Sequence, residues 1–338
     1  MRPLTPRRVF GICMLLLGVL FVVVVVSLRM GAYPISVREI VATLVNGALG
    51  RREQIPSEFW LVVFGLRLPR IALGILVGAA LSTSGAGFQA LLRNPLADPY
   101  VLGVSSGAAL GAIISLIAAP FTPGMIQVGA FVGAAATITA VYFLGRRGGK
   151  LDTSTLLLAG IISASFLSAV IMFLMTTMSG RDLRGMAFWL MGDLSSAPAV
   201  DLKWLYLLLL IGAGSIYTTS SDLNLILTGE QEARHLGVNV SRVKIVVYVG
   251  ASLLTGLAVS LSGAIGYVGL LTPHVMRMLF GNDYRLLIPT SAIGGAIIVV
   301  LADLLARTIV APTELPVGAM TAIAGAPVFI YLMRRGVR

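Results

Sequence analysis

Long apolar segments recur along this chain of 338 residues and exclude an ordinary water-soluble fold. The first runs from Phe10 to Leu28 without a charged side chain, close to the roughly 20 residues that a helix needs to cross a bilayer. Apolar residues make up 57% of the sequence and charged residues only 12%, against about 45–50% and about 25% in soluble domains. The chain is therefore predicted to be an all-α, polytopic membrane protein.

About ten segments of this kind are predicted to span the membrane, since their lengths match the apolar thickness of a bilayer. They are the segment that ends near Leu28 and residues of about 61–83, 102–119, 124–144, 155–178, 203–220, 244–262, 265–280, 287–306 and 317–333. The first is predicted to be a retained helix, because no small-residue cleavage site of a signal peptide follows it. Residues from about 31 to 58 are predicted to form the first external loop, and residues 1–338 one transmembrane domain.

An even number of spans puts both termini on one side, and the positive charges indicate which side it is. Of the 25 lysines and arginines, 15 fall on the side of the termini and 10 on the other. Residues 145–150 (GRRGGK) and the C-terminal RRGVR carry this bias most clearly. Both termini are therefore predicted to be cytoplasmic. The net charge of +11 suits topology and contact with anionic lipid, so no nucleic-acid partner is expected.

No catalytic or metal-binding pattern is present in the sequence. The string GRRGGKL lacks the spacing and the hydroxyl of a phosphate-binding loop, and neither HExxH nor a cysteine cluster occurs. The two histidines, His235 and His274, are far apart, so a metal site built from them is not expected. The chain is predicted not to be an enzyme.

One acidic residue, Asp303, falls inside a predicted span, where an ionisable side chain is a candidate for function. Arg307 lies one helical turn later, so the two can form a local ion pair, which we favour. The alternative is a stand-alone secondary carrier or channel. Such a carrier, if driven by protons, would need several intramembrane acids, and the other acids fall nearly all in predicted loops.

Glycines and prolines mark close packing and irregular backbone. Glycine recurs every four residues in three segments, at Gly103, Gly107 and Gly111, at Gly74 and Gly78, and at Gly129 and Gly133, which favours close packing of helices. The string RNPLADP (93–99) contains two prolines and is predicted to be a bent connector at the membrane surface. The inner segment of about 221–243 is predicted to contain a helix that ends near Gly237.

Several longer strings resemble one family of transporters. They are RNPLADPYVLGVSSGAALGA (93–112), LRLPR (66–70), GEQEARHLGV (229–238), GAIGYVGLLTPHVMR (263–277), LADLLAR (301–307) and ELPVGAMTAIAGAPVFIYLMRR (314–335). Together they are similar to the permease family of iron-siderophore, haem and vitamin B12 ABC importers. The resemblance covers about residues 60 to 335 and is specific for the family, but not for the cargo.

The resemblance implies a permease subunit with about ten helices, which moves a metal chelate into the cytoplasm by alternating access. Its expected partners are a second permease subunit, a separate ATPase dimer that binds ATP and Mg²⁺, and a periplasmic or lipid-anchored substrate-binding protein. The expected location is the bacterial cytoplasmic (inner) membrane. A homodimer is favoured and a heterodimer stays open, as does the choice among ferric siderophore, haem and cobalamin.

The resemblance also implies three sets of site residues. The segment that couples to the ATPase corresponds to Gly229, Glu230, Glu232, Ala233, Arg234, Leu236 and Gly237. The arginines that dock the binding protein correspond to Arg67, Arg70 and Arg307. The inner gate corresponds to Asn94 and Leu96, and a second constriction corresponds to Thr153 and Ser154. From the residues alone, the first set could be a solvated helix. The arginines could serve topology, lipid contact or the pair with Asp303, and the gate residues could belong to plain loops.

Overall fold

The computed structural model describes residues 5–31, 33–119, 122–147, 150–178, 180–195 and 201–336. The helices are α1 (Pro6–Arg29), α2 (Val37–Ala48), α3 (Ser57–Trp60), α4 (Leu68–Leu91), α5 (Val104–Ala118), α6 (Met125–Leu144), α7 (Thr153–Met175), α8 (Gly180–Leu190), α9 (Leu202–Thr218), α10 (Ser220–Thr228), α11 (Glu230–His235), α12 (Val240–Ser262), α13 (Val268–Phe280), α14 (Tyr284–Ala306) and α15 (Val317–Gly336). A π-helix (Leu61–Arg67) joins α3 to α4, and 3-10 helices cover Arg52–Gln54 and Pro99–Leu102. Strands β1 (Arg146–Arg147) and β2 (Lys150–Leu151) pair antiparallel.

Each segment predicted to span the membrane coincides with an apolar helix, which confirms the all-α membrane fold. In the described residues, six helices are long and apolar enough to cross a bilayer: α1, the continuous helix Ser57–Leu91, α6, α7, α12 and α14. The pair α9 and α10, bent by 45°, makes a seventh, and α5, α13 and α15 supply three shorter apolar helices. Helices α5 and α13 are short because each begins at a left-handed residue, Gly103 (φ +76°) and Tyr267 (φ +66°).

Helix α4 packs between α12 and α14 and forms the centre of the protein with them. On one side, a Cβ atom at Gly78 would lie 2.2 Å from the carbonyl oxygen of Gly295 in α14. On the other side, the Ser84 hydroxyl donates to the carbonyl of Ala251 at 2.7 Å and lies 2.6 Å from the Thr255 hydroxyl. Small residues and buried hydroxyls are typical of helix contacts in membranes. This core fixes both ends of α4, where the candidate site residues lie.

Helices α5 and α6 meet along the predicted glycine stripes. A Cβ atom at Gly111 would lie 2.0 Å from the carbonyl oxygen of Gly129, and one at Gly133 would lie 2.2 Å from that of Gly107. The packing interpretation is therefore confirmed for these four residues. Gly103 lies before α5, with φ +76°, and serves as its cap; a Cβ atom there would lie 3.3 Å from the carbonyl oxygen of Gly160 in α7.

The predicted first external loop contains a helix, α2, so a loop throughout residues 31–58 was wrong. The Ser36 side chain accepts from the backbone N–H of Glu39, and the Glu39 carboxylate accepts from the N–H of Ser36 at 2.9 Å. This reciprocal pair is a capping box, which fixes the first turn of a helix. Ile40 and Thr43 are buried on its inner face. The Ser-x-x-Glu spacing of residues 36–39 is the sequence pattern typical of this motif.

The predicted inner segment of about 221–243 comprises α10, α11 and the start of α12. Helix α11 ends at His235, and the left-handed Gly237 (φ +88°) follows its cap residue Leu236, so the predicted end near Gly237 is confirmed. Helix α12 then begins at Val240, four residues before the predicted span. Helix α8 lies between the predicted spans of about 155–178 and 203–220. Ser179 and residues 196–200 lie outside the described residues, as do the last two residues of the C-terminal RRGVR, Val337 and Arg338.

Candidate functional site

Arg70 joins the central helices to the turn before α15. Its Nε lies 2.7 Å from Oδ1 of Asp303 in α14, and its Nη1 lies 2.7 Å from Oε2 of Glu314. The Asp303 side chain is 2% exposed and that of Glu314 is 49% exposed. The guanidinium of Arg70 thus binds the buried carboxylate of Asp303 and the half-exposed carboxylate of Glu314 at the same time. Arginine suits this role because its planar group carries several N–H donors in fixed directions.

Arg307 binds the same carboxylate from the other side. Its Nε lies 3.2 Å from Oδ2 of Asp303, which confirms the ion pair predicted from their spacing. Its Nη2 donates to the carbonyl and the hydroxyl of Ser27 in α1, at 2.8 and 2.6 Å. Asp303 is therefore held between two guanidinium groups, and the cluster ties α1, α4 and α14 together.

Arg67 is buried, and its guanidinium donates to the backbone carbonyls of Leu28 and Tyr33. A cavity of about 360 Å³ is lined by Arg67, Arg70 and Arg307 together. The structure thus brings the three predicted docking arginines into one cluster. Their guanidinium groups bind carbonyls, carboxylates and a hydroxyl of this chain.

The predicted bent connector after α4 is confirmed. The Asn94 Oδ1 atom accepts from the backbone N–H of Leu96 at 2.9 Å, and both side chains are exposed. Asp98 accepts from the N–H of Tyr100 at 2.8 Å and so begins the following 3-10 helix. Burial raises the pKa of the Asp98 carboxyl above its usual value. The connector therefore presents Asn94 and Leu96 at its surface while Asp98 lies deeper.

The second predicted gate pair lies at the start of α7. Thr153 and Ser154 are its first two residues, behind the cap residue Asp152. Thr153 lines a cavity of about 390 Å³ that Glu230 and Arg234 also line. The structure thus brings Thr153 next to the segment that the resemblance assigns to ATPase coupling.

The predicted coupling helix α11 lies between two glycines. A Cβ atom at Gly229 (φ +158°) would lie 1.7 Å from Oε2 of Glu232, so a side chain at this position would displace that carboxylate. At the other end, Gly237 is left-handed (φ +88°), and the N–H of Val238 donates to the carbonyl of Ala233 at 3.0 Å. This bond pattern with glycine at the left-handed position is a Schellman motif. The two glycines set the length and the direction of α11.

Helix α11 has a buried side and an exposed side. Ala233 is fully buried against the protein, whereas Leu236 is 66% exposed. Glu232 and Arg234 are exposed as well. An exposed leucine beside charged side chains is a surface that a protein partner could cover.

Glu230 faces the protein's own basic residues rather than solvent alone. Its carboxylate lies 2.7 Å from Nζ of Lys244 in α12, 3.5 Å from Nη2 of Arg93 in the connector and 3.7 Å from Nη2 of Arg234. Glu230 therefore ties α11 to α12 and to the connector.

Asn224 in α10 makes a second attachment of the inner segment. Its Nδ2 donates to Oδ1 of Asp283 at 2.9 Å, and its Oδ1 accepts from the N–H of Tyr284 at 2.9 Å. Asp283 is the N-cap of α14 and also accepts from Arg285 at 2.6 Å. Hydrogen bonds from Arg285 and Asn224 lower the pKa of Asp283 to about 2. The inner segment is thus fixed to the beginning of α14.

Over the described part of the chain, no three His, Cys, Asp or Glu side chains are grouped as metal ligands would be. His235 lies in α11 and His274 in α13.

The sequence comparison decides which family this arrangement represents. Residues 19–335, nearly the whole chain, match the FecCD transport family. The chain belongs to the FecCD transport family.

Two curated proteins and one solved structure are similar over most of the FecCD-family chain. A cobalamin import system permease protein of Halobacterium salinarum is 41% identical, over 83% of this chain and 75% of that protein. A hemin transport system permease protein of Yersinia pestis is 39% identical, over 98% and 96%. A solved inward-facing ABC transporter, assigned to the metal-chelate type, superimposes with a TM-score of 0.82 at 30% identity and covers 96% of this chain and 99% of that chain.

Four residues of this FecCD-family site were missed by sequence reasoning. They are Arg93, Asn224, Lys244 and Glu314, which bind the predicted residues or fix their helices. Each is a single polar residue whose partner is distant in the sequence, so no local sequence pattern predicts the contact. For Arg93 and Glu314, the sequence offers one indication of a role: both lie within the strings that carry the family resemblance.

Proposed function

We propose that this protein is the permease subunit of an ATP-driven importer that carries a metal chelate across the cytoplasmic membrane. The observation that carries the proposal is α11, a helix that presents Leu236 and charged side chains on its exposed face and is tied to the gate connector behind it. The names of the two relatives, a cobalamin import permease and a hemin transport permease, support a metal chelate as the cargo.

The ATPase is a separate pair of subunits that holds ATP and Mg²⁺ below the permease. Its docking surface is the exposed face of α11, with Glu232, Arg234 and Leu236 in contact and Ala233 supporting the helix from behind. Gly229 and Gly237 keep the helix short enough to move as one unit. ATP binding and hydrolysis in the partner move this unit, and both termini of the permease lie on the same, cytoplasmic side.

Transport proceeds by alternating access through two inner constrictions. Asn94 and Leu96 form the gate at the connector, and Thr153 and Ser154 form a second constriction. Their amide, hydroxyl and aliphatic side chains close a path without leaving a fixed charge in it. A second copy of this chain completes the twofold pathway.

A substrate-binding protein, periplasmic or lipid-anchored, delivers the chelate at the opposite face, where the cluster of Arg67, Arg70 and Arg307 lies. Arg70 is the residue best placed to meet a carboxylate of that protein, because its internal partner Glu314 is 49% exposed and can move aside. Arg67 and Arg307 are more deeply buried and hold the cluster in position.

An ion-coupled carrier that works alone is the competing function, and it would depend on Asp303. Two guanidinium groups of this chain bind this carboxylate, so Asp303 is already held in an internal ion-pair cluster and is not presented to a passing ion.

The test is purification of the tagged permease from its native membrane in mild detergent, with quantitative mass spectrometry of its partners. The wild type and a Leu236→Met variant, which keeps an apolar contact, should retain an ATPase in fixed stoichiometry. A Leu236→Asp variant should lose it by about tenfold, since an anchor residue contributes about 1.4 kcal/mol or more. An ATPase that stays bound to Leu236→Asp at the wild-type level would remove α11 from the interface.

A further inference from the structure

Arg93 adopts a backbone conformation that glycine adopts more readily. It follows α4 with φ +49°. Its N–H donates to the carbonyl of Ala90 at 3.2 Å, and the N–H of Asn94 donates to that of Gln89 at 3.1 Å. These two bonds form a Schellman motif with arginine at the left-handed position. A Cβ atom disfavours that conformation, and the same motif at the end of α11 has a glycine, Gly237.

The side chain of Arg93 reaches the coupling segment. Its Nη2 donates to the carbonyl oxygen of Ile226 at 3.0 Å and lies 3.5 Å from Oε1 of Glu230. Ile226 is in the last turn of α10, where carbonyls lack partners within the helix and the helix dipole is negative. The guanidinium therefore binds both the end of α10 and the first residue of α11, and these contacts offset the unfavourable backbone.

Arg93 also lies directly before the predicted gate residue Asn94. The direction in which the connector leaves α4 depends on the turn at Arg93, because the N–H of Asn94 is bound back to α4. A displacement of α10 and α11 must therefore either pull the guanidinium along or break its two contacts. In the first case the turn moves, and the connector moves with it.

We propose that Arg93 is the positioning residue that transmits movement of α10 and α11 to the gate connector. The inference rests on the proposed function, since it assumes that an ATPase moves α11. Lys244 holds Glu230 more closely, at 2.7 Å, but it ties α11 to α12 and does not reach the connector. Arg93, by contrast, links α10 and α11 to the connector that carries the gate residues.

The decisive variant is Arg93→Gly in the complete complex, reconstituted into proteoliposomes with its ATPase and binding protein. Glycine suits the left-handed turn, so the complex is expected to assemble. ATP hydrolysis should continue, while the amount of cargo taken up per ATP should fall by about tenfold, within the usual range of coupling between sites. The cargo probes are radiolabelled cobalamin, haemin and a ferric siderophore, and the analysis uses the probe that the wild type transports.

Two further variants separate transmission from folding. Arg93→Lys keeps the charge but not the planar fork that reaches both contacts, so its uptake per ATP should fall by about threefold or more. Arg242→Gln removes another exposed charge from the inner end of α12 and should behave like the wild type.

Wild-type uptake per ATP in Arg93→Gly overturns the inference. So does a failure of Arg93→Gly to assemble combined with wild-type uptake per ATP in Arg93→Lys, because arginine would then serve folding alone. If the wild-type complex transports none of the probes with ATP, the proposed function itself fails and the inference fails with it.

Discussion

The guanidinium of Arg70 lies 2.7 Å from the carboxylate of Asp303, although 233 residues separate them in the sequence. The contact joins the beginning of α4 to the end of α14, and Arg307 binds the same carboxylate at 3.2 Å. Removal of the Asp303 charge would leave two buried guanidinium groups without their shared counterion. The cluster of Arg70, Asp303 and Arg307 therefore holds α4 and α14 together and is also a candidate docking site.

Asp303→Asn should destabilise the protein strongly. Breaking a buried pair from one side costs about 3–5 kcal/mol, because the remaining charge stays buried without compensation. The measurement is the thermal unfolding midpoint of the purified protein in detergent, followed by tryptophan fluorescence. The control is Glu314→Gln, which removes a half-exposed carboxylate from the same arginine and should cost about 1 kcal/mol or less. Equal losses in the two variants would contradict the burial argument.

Gly78→Ala should separate α4 from α14. The added Cβ would lie 2.2 Å from the backbone oxygen of Gly295, a contact that side-chain rotation cannot relieve. We expect a loss of folded protein on size-exclusion chromatography, with destabilisation of about 1–3 kcal/mol or more. The matched control is Gly214→Ala in α9, where nothing lies within 4 Å of the added atom. This control should be neutral or up to about 1 kcal/mol more stable, and a well-folded Gly78→Ala would show that the two helices are not in close contact.

The Asp283 carboxylate should stabilise the fold in a pH-dependent way. Its pKa is lowered to about 2 by hydrogen bonds from Arg285 and Asn224, whereas the unfolded value is about 3.9. The stabilisation is therefore complete above about pH 5 and is lost as the pH falls from about 4 towards 2.

Asp283→Asn keeps an N-cap side chain and removes only the charge, at a cost of about 1 kcal/mol near neutral pH. The difference in thermal midpoint between this variant and the wild type should be constant from pH 7 to about pH 5 and should shrink towards pH 3. A difference that stays the same at pH 3 would show that the charge does not provide it.

Glu314→Gln should strengthen docking of the binding protein, if Arg70 receives a carboxylate from it. Glu314 holds one edge of the guanidinium at 2.7 Å, and an incoming carboxylate must displace it. Loss of the competing charge should raise the affinity by about threefold or more, equivalent to about 0.7 kcal/mol. Surface plasmon resonance at low and high salt measures this, and an unchanged affinity would exclude Arg70 from the interface.

The sequence was sufficient to predict the apolar helices, because the length of an apolar run is set by the bilayer. It also predicted that α11 ends near Gly237 and that Asp303 pairs with Arg307, since both are local features of a helix. It did not predict the pair of Arg70 with Glu314 or of Glu230 with Arg93. Those contacts join distant parts of the chain and depend on how α4, α14 and the inner segment pack. Local spacing carries no information about that packing.

Uptake into proteoliposomes that contain the purified complex tests the central claim most directly. Radiolabelled cobalamin, haemin and a ferric siderophore are each supplied with the binding protein, with ATP and Mg²⁺ or with a non-hydrolysable analogue on the ATPase side. The account predicts that one of these chelates accumulates only with hydrolysable ATP and that Leu236→Asp abolishes its accumulation. Uptake by the permease alone, driven by an ion gradient and indifferent to ATP, would contradict the account and point to a carrier built around Asp303.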